Sequence, residues 1–283
     1  MRGRVALHIL VLMILPALAP ATHLGDLYVI PVAGHVRGAH KSLWQTDIAI
    51  HNFQSTPITV ELAVAESGEG AAGNFFPVTI AGGATVTIPA GGSRILTDVL
   101  NDHRGRTDTI GALIVAADAP FAVTSRTYSV DSTGARTVGL TVPPTQEFLS
   151  TPAGAAFVPG LVSNTRFRTS IGFTAAASAG APLVVQVTLL GRDGSTLGSR
   201  SFTVPGGAVN HVQFGSATLS AAPFEEGTAV VRILSGPGDV VAYGSVVENS
   251  TNQAVFISGV VPGPMNPTIT GSTFATLFGQ INE

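Results

Sequence analysis

The stretch PLVVQVTLLGRDGSTLGSRSFTVP, residues 182–205, decides the fold class. Apolar and polar residues alternate along both of its arms, which is the pattern of half-buried β-strands. The arms are separated by GRDG at residues 191–194. Asp-Gly is a strong hairpin signal, because both residues tolerate a positive φ angle. The stretch therefore predicts a β-hairpin.

The same alternation runs through most of the chain beyond residue 26. In ATVTIPAGGSRIL, residues 84–96, a strand stops at Pro89, turns through Gly91 and Gly92, and resumes. Proline ends a strand ladder by removing a donor, and glycine permits the turn. Only ILTDVLND, residues 95–102, reads as a short helix or helical turn. The sequence therefore predicts an all-β protein.

Several segments recur in the same order about 118 residues apart. LWQTDIAI at 43–50 matches RFRTSIGF at 166–173, and IPAGGSRI at 88–95 matches VPGGAVNH at 204–211. A third pair is TSRTYSVDSTGART, which begins at residue 124, and AYGSVVENSTNQAV, which begins at residue 242. Insertions in loops explain the small drift in the offset. We interpret the pattern as the duplication of one strand-rich unit.

Each copy has about seven short strands, which predicts two tandem immunoglobulin-like β-sandwich domains. The predicted domains cover residues 22–147 and 156–264, and a linker at 148–155 joins them. A linker this short predicts a stiff rod. Residues 265–283 are predicted to form a C-terminal tail.

The duplication pairs individual residues of the two copies. Trp44 and Phe167 are predicted to be equivalent core aromatic residues, and Tyr128 is paired with Val246 on a late strand. Asp131 is paired with Asn249. Both are predicted at hairpin turns, where a short side-chain oxygen accepts a hydrogen bond from the backbone N–H two residues on.

These ordered landmarks resemble the tandem immunoglobulin-like β-sandwich modules of exported, largely uncharacterised bacterial proteins. The landmarks are an aromatic-x-T-D-I strand, a proline-glycine turn, and TSRTY followed by a polar turn. The resemblance covers most of residues 27–263. It implies a secreted or surface-displayed module, and it brings no catalytic residues.

Residues 1–21, MRGRVALHILVLMILPALAPA, have the layout of a secretory signal peptide. Arg2 and Arg4 precede an apolar run, and small residues follow it at 19–21. The alternative is a buried or membrane-anchoring helix, but the run is shorter than the roughly 20 residues that a spanning helix needs. We predict cleavage after Ala21, with Ala19 as the second choice. The expected location is secreted, extracellular or at the cell surface, without a transmembrane segment.

The composition excludes several classes of function. Charged residues make up 11% of the chain, and Lys+Arg number 14 against 17 for Asp+Glu. Such a chain lacks the basic surface that nucleic acid requires. With Cys 0, neither thiol catalysis nor disulfides are available. No G-x-S-x-G, S-x-x-K or H-E-x-x-H motif occurs. We therefore predict a protein that is not an enzyme and has no cofactor.

Two groups of residues in the sequence contain side chains of the types that bind metals. His35, His40 and His51, with Asp47 nearby, are residue types that bind zinc. They are also compatible with exposed strand-edge positions, which is the preferred interpretation.

The second cluster lies in and beside NDHRGRTD, residues 101–108. Asp98, Asp102 and Asp108 are weak candidates for a calcium site. Arg104 and Arg106 compete for the same carboxylates, so a solvated connection is preferred and no metal is predicted.

The tail MNPTITGSTFATLFGQINE, residues 265–283, has no counterpart after the first copy. Phe274, Leu277 and Phe278 are apolar residues that an exposed tail should not display. One interpretation is that the tail folds back on its own domain. The other is that it docks on a neighbouring subunit by strand addition, which makes these three residues assembly contacts.

The favoured function is a secreted, non-catalytic structural or interaction protein at the cell surface or in an extracellular assembly such as a filament. Its expected partner is another copy of itself or another surface protein. The alternative is an adhesion module that binds carbohydrate or another surface ligand. A secreted hydrolase, with a site near residues 98–108 or between the domains, is the third hypothesis.

Overall fold

The computed structural model describes residues 26–38, 42–66, 84–131, 133–150, 154–178 and 180–262. Within them the protein is all-β with antiparallel strands, as the sequence predicts. Helical structure in these residues is confined to one turn of α-helix and a 3-10 turn at Ser216–Thr218. No helix in this part of the chain has the length and apolar character needed to cross a membrane.

The first eight strands and helix α1 form what we call the first half. Their bounds are β1 Asp26–Arg37, β2 Leu43–His51, β3 Ile58–Glu66, β4 Ala84–Ile88, β5 Ser93–Leu96, α1 Val99–Asp102, β6 Thr109–Ala117, β7 Ala122–Val130 and β8 Arg136–Thr141.

The next eight strands form the second half. Their bounds are β9 Ala155–Ser163, β10 Phe167–Ala177, β11 Leu183–Leu190, β12 Thr196–Val204, β13 Val209–Gly215, β14 Phe224–Ser235, β15 Gly238–Glu248 and β16 Ala254–Ser258.

The order of strand pairing is the same in both halves. The first half contains the orders β4-β3-β6-β1 and β5-β2-β7-β8. The second half contains β12-β11-β14-β9 and β13-β10-β15-β16, so each strand number rises by eight. Each half has eight described strands rather than about seven, because the chain changes sheet at each proline-glycine turn. In the first half alone, β1 also pairs with β2, which joins both sets into one eight-stranded sheet.

The stretch that decided the fold class forms the predicted hairpin of β11 and β12. Along β11, Leu183, Val185, Val187 and Leu189 are buried, and the residues between them are half-buried. Asp193 closes the turn by accepting a hydrogen bond from the backbone N–H of Ser195 at 3.0 Å. Each half has its own apolar core between its two sets of strands.

The two polar turns differ in how they are closed. Asp131 accepts hydrogen bonds from the backbone N–H groups of Thr133 at 2.8 Å and Ala135 at 3.1 Å, so its prediction is confirmed. Asn249 lies in the predicted hairpin turn, between β15 and β16, but its side chain bonds to partners other than the predicted one. Its Nδ2 donates to the carbonyl of Thr165, and its Oδ1 accepts from Arg168, so it ties its turn to β10 and the loop before it.

The strand registers correct one pairing of the copies. Thr46 lies opposite Thr127, and its counterpart Thr169 lies opposite Val246. Val246 therefore corresponds to Thr127 and not to Tyr128. A shift of one residue matters because it moves a side chain to the other face of the strand.

The two halves pack side by side through sheet faces, so the predicted rod is wrong. Val29, Ala65, Ala112 and Ile114 of the first half form a buried cluster with Val209 and Val241 of the second half. These residues lie on the outer faces of their sheets, away from both cores. Because the outer faces are apolar there, burying them against each other is favourable.

The connection between the halves follows this packing. Thr145 pairs with Val29 of the first half, and Leu149 pairs with Val240 of the second half. Residues 148–150 of the predicted linker therefore already contact the second half. The predicted domain boundaries remain a prediction.

Candidate functional site

Six polar side chains meet on the outer side of β2 and β7 in the first half. We call them the polar network. Its members are His35 on β1, Gln45 and Asp47 on β2, Asp98 just before α1, Tyr128 on β7 and Arg136 on β8. The alternation along β2 that sends Ile48 and Ile50 into the core sends Gln45 and Asp47 to this side.

Asp98 occupies one end of the polar network. Nδ1 of His35 lies 2.9 Å and 2.8 Å from its two carboxylate oxygens, and Nε2 of Gln45 donates to one of them at 2.7 Å. The Asp98 residue is 7% exposed and has a φ of 43°, in the left-handed region. A non-glycine residue in this region is held there by its surroundings. These hydrogen bonds are the surroundings that hold it.

Asp47 occupies the centre of the polar network. One carboxylate oxygen accepts hydrogen bonds from the backbone N–H of Asp98 and the hydroxyl of Tyr128, both at 2.9 Å. Its other oxygen lies 3.0 Å from Nη1 of Arg136. The Arg136 guanidinium also lies 4.4 Å from the centroid of the Tyr128 ring. Burial, followed by the hydrogen bond to Asp47, raises the pKa of Tyr128 to about 12.

The geometry gives the polar network a role in holding strands. Every carboxylate oxygen of Asp47 and Asp98 has a protein donor. The contacts of Asp47 connect β2 to the start of α1 and to the edge strand β8. A His–Asp pair is also the arrangement that orients a general base. Here both oxygens of Asp98 and both of Asp47 are already occupied by neighbours.

The calcium candidates are not brought together. Asp98 belongs to the polar network, and Asp102 accepts from Nδ2 of Asn101 at 3.0 Å. Asp108 is exposed, and its nearest cation is Arg37 at 4.0 Å. Across the described ranges, no group of three or more histidine, aspartate or glutamate side chains is arranged to hold a metal.

The histidine cluster is also divided. His35 is in the polar network, and Nδ1 of His51 contacts the hydroxyl of Ser93 at 2.8 Å on the surface. His40 lies outside the described residues. The sequence placed His35 and Asp98 in different candidate clusters, whereas the fold joins them. The assembly candidates Phe274, Leu277 and Phe278 also lie outside the described residues.

A cavity of about 220 Å³ lies between the two halves. Its walls include Trp44 and Arg37 from the first half and Arg168 and Gln213 from the second. Trp44 is half-buried, so the expectation of a core aromatic is wrong for this residue. The Arg168 guanidinium donates to the amide oxygens of Asn249 and Asn252, which are neutral groups. A partly exposed indole and two guanidinium groups can bind a planar or anionic molecule.

Sequence reasoning missed a second buried polar group, where the second half contacts the first. Nε2 of His211 lies 2.8 Å from the hydroxyl of Tyr243, which donates to Gln213 at 3.0 Å. His211 and Tyr243 are both fully buried, and their rings stack. In the described part of the chain, Nδ1 of His211 has no well-aligned hydrogen-bond partner. Burial lowers the pKa of His211 to about 3, and the nearby Pro31 carbonyl opposes the shift.

Comparison with known proteins gives no family. No protein-family model matches the chain, and no curated protein matches it. Among solved structures it is similar to the crystal structure of Bacteroides uniformis beta-glucuronidase, at 11% identity and a TM-score of 0.17. The match covers 77% of this chain and 24% of that one, so the chain spans about a quarter of that enzyme's length. A TM-score this low carries no argument about fold or function.

Proposed function

We propose that the chain is an exported, non-catalytic structural or interaction protein, built from two copies of an immunoglobulin-like β-sandwich unit. It acts at the cell surface or as a subunit of an extracellular assembly. The observation that carries the proposal is the recurrence of one pairing order in two halves that pack through apolar sheet faces. A unit that stacks on its own copy is suited to building larger structures.

The chemistry of the polar network supports a non-catalytic role. A catalytic acid or base must reach the proton that it transfers to or from a substrate. The carboxylates of Asp47 and Asp98 instead accept hydrogen bonds from groups on five different elements or loops. Such an arrangement uses the charges to hold the first half together.

The surface supports association. Only 11% of residues are charged, and exposed sheet edges with few charges do little to resist pairing with another chain. Exposed large apolar residues include Phe53, Ile95, Leu234 and Val260. Low charge and exposed apolar side chains together favour a protein that contacts other protein surfaces.

The test is to express the full chain in a bacterial host and to follow its location and its mass. We expect it outside the cytoplasm, with a new N-terminus after Ala21, and a mass by light scattering that rises with concentration. A chain that stays in the cytoplasm uncleaved would refute export. A constant monomer mass at every concentration would refute self-assembly, and comparison with a chain that ends at Gly263 would show whether the tail contributes.

The second candidate is a ligand-binding module, and the cavity between the halves favours it. Trp44 offers an aromatic surface, and Arg37 and Arg168 offer positive charge. These groups suit a carbohydrate that carries a carboxylate. Titration with uronic-acid oligosaccharides should quench Trp44 fluorescence and should fail in Arg168→Gln. Uronate and neutral glycans that leave the fluorescence unchanged would refute this candidate.

A further inference from the structure

We propose that copies of the chain join head to tail through the two sheet faces that correspond to the pair already packed inside one chain. This inference rests on the proposed function, because it specifies the contact by which the chain would self-assemble. The occupant of each face is a second copy of this chain.

Inside one chain, two unlike faces meet. The outer face of β3, β6 and β1 in the first half packs on the outer face of β13, β10 and β15 in the second half. The strand orders of the halves are equivalent, so each face has a counterpart in the other half. The outer face of β3, β6 and β1 has its counterpart in the outer face of β11, β14 and β9, which we call the free second-half face. The outer face of β13, β10 and β15 has its counterpart in the outer face of β5, β2 and β7, which we call the free first-half face.

The strand registers identify equivalent residues on the free second-half face. Leu62 pairs with Val115 on β6, as Val187 pairs with Val231 on β14. Continuing along the strands, the residues equivalent to Val29, Ala65, Ala112 and Ile114 of the buried cluster are therefore Phe157, Leu190, Thr228 and Val230. Three of these four are apolar, and Val230 is already covered by its own half, at 2% exposure.

Exposed apolar side chains lie at both free faces. Ile95 on β5 is 67% exposed, and Phe53, just after β2, is 44% exposed. Phe53 corresponds to Ala176, which packs against the buried cluster between the halves. At the free second-half face, Leu234 is 49% exposed and Val260 is 56% exposed. Covering these side chains would stabilise a contact between copies.

The charges at the two faces are complementary. Ile110 and Ser245 line the same cavity between the halves, one from each side. Gly227 corresponds to Gly111, so Glu226 beside it takes the place of Ile110, and Arg126 corresponds to Ser245. Glu226 lies in a β-bulge, and its carboxylate is 3.3 Å from Nε of Arg192 at the surface. Both charged residues are exposed. If the contact between the two halves is repeated between two copies of the chain, Arg126 of one copy lies near Glu226 of the next.

The path of the chain agrees with this geometry. Val260 pairs with Phe157 just as Thr145 pairs with Val29. After Thr145 the chain crosses to the next unit, where Leu149 pairs with Val240. Val260 therefore marks the place that corresponds to the point where the first half passes its chain to its neighbour. In an assembly, that neighbour is the first half of another copy.

A contact between two unlike faces that does not close on itself generates an open fibre. The free first-half face has Ala122 and Thr124 where the buried face has Val241 and Tyr243. The polar network also lies at one end of this face, where Asp47 on β2 is opposite Arg126 on β7. The centre of this face is less apolar, so the contact between copies should be weaker than the contact within one chain. Assembly should therefore depend on concentration.

The test uses charge reversal in the full chain, read by sedimentation velocity and negative-stain microscopy. Arg126→Glu and Glu226→Arg should each weaken association by about tenfold or more, because like charges then face each other. The double variant should associate as the unaltered chain does. An equimolar mixture of the two single variants should also assemble, because each supplies the partner that the other needs.

Arg200→Glu is the matched control. Arg200 is exposed and lies 5.0 Å from the Phe202 ring centroid, as Arg126 lies 5.6 Å from that of Tyr128. It is on β12 and points away from both free faces, so association should be unchanged. If the chain assembles but the reversals have no effect, this contact is wrong and the proposed function stands. If the unaltered chain is monomeric throughout, this contact and self-assembly both fail, and the role at the cell surface still has its own test in the location of the chain.

Discussion

Asp47 is the residue on which the polar network depends. It is 8% exposed and accepts hydrogen bonds from a backbone N–H, a phenol and a guanidinium. Removing the charge from such a group leaves its donors with a weaker acceptor. Disrupting a buried, charge-assisted network lowers stability more than breaking a surface ion pair does.

We predict that Asp47→Asn lowers the free energy of unfolding by about 2–3 kcal/mol, measured by urea unfolding at neutral pH. Asp102→Asn is the matched control, because that carboxylate is exposed and contacts Asn101. It should change stability by less than about 0.5 kcal/mol. Equal effects of the two substitutions would contradict the structural role of the polar network.

His211 makes the stability of the protein depend on pH. Its pKa is lowered from 6.5 to about 3 by burial where the halves meet. The neutral form is therefore favoured in the folded state, and the unfolded state takes up the proton first as the pH falls. This contribution is fully present above pH 6.5 and is lost as the pH falls from 6.5 towards 3.

We predict that the unaltered chain loses about 2 kcal/mol more stability between pH 7 and pH 5 than His211→Gln does. Glutamine can hydrogen-bond to the Tyr243 hydroxyl but does not titrate in this range. Urea unfolding of both proteins at the two pH values measures the difference. Identical pH dependence would mean that His211 is protonated without cost in the folded state.

The sequence predicts the residues that interact locally better than those that meet across the fold. The role of Asp131 is predicted correctly because the N–H groups that donate to its carboxylate lie within the same turn. His35 and Asp98 belong to different sequence clusters, since 63 residues separate them. They meet because β1 and β5 both pair with β2. The turn position of Asn249 is predicted correctly, but its partners are not, because Thr165 and Arg168 lie outside its own turn.

At the scale of elements, β10 has no room for a larger residue at one position. A Cβ on Gly172 would lie 2.3 Å from Cζ of Tyr243. The Tyr243 ring is fully buried between His211 and Phe256, so it cannot move aside freely. The absence of a side chain at Gly172 is therefore what lets the ring lie against the strand.

We predict that Gly172→Ala costs about 1–3 kcal/mol of stability and lowers the thermal midpoint. Gly215→Ala is the matched control, because a Cβ there meets nothing within 4 Å and the φ is −68°. That control should leave stability unchanged or raise it slightly. A tolerated Gly172→Ala would show that the ring can shift within the interface.

The elements themselves were largely predictable. Alternation and the Asp-Gly turn identify β11 and β12, and proline with glycine marks the end of β4. The change of sheet between β4 and β5 was not predictable, because a turn sequence does not say which strand the next one will pair with. Pairing is decided by long-range burial, which a local pattern does not contain.

At the scale of the whole molecule, the sandwich class was predicted and the side-by-side packing was not. A signal for it was present in β6, TIGALIVAA, where seven consecutive residues are buried. A continuous apolar run indicates a strand that is covered on both faces. The alternation elsewhere in the chain is the pattern of half-buried strands, which have one face towards water.

Ile114 tests whether the halves are coupled. It lies in the cluster shared by both halves and is 7% exposed. Ile114→Asp buries an uncompensated charge and should cost about 3–5 kcal/mol. We predict that calorimetry shows two transitions in place of one, because each half has its own core. Ile95→Asp, at a 67% exposed position, should leave a single transition at low concentration.

The double pairing of β1 has a consequence for how the molecule exchanges amide hydrogens with water. β1 bonds to β6 along most of its length and to β2 at its end, whereas β9 forms a ladder with β14 alone, apart from the bridge to Val260. Opening β1 must break two ladders, and opening β9 breaks one. Deuterium should therefore exchange into the amides of β9 before those of β1. The second half should accordingly open locally before the first half does.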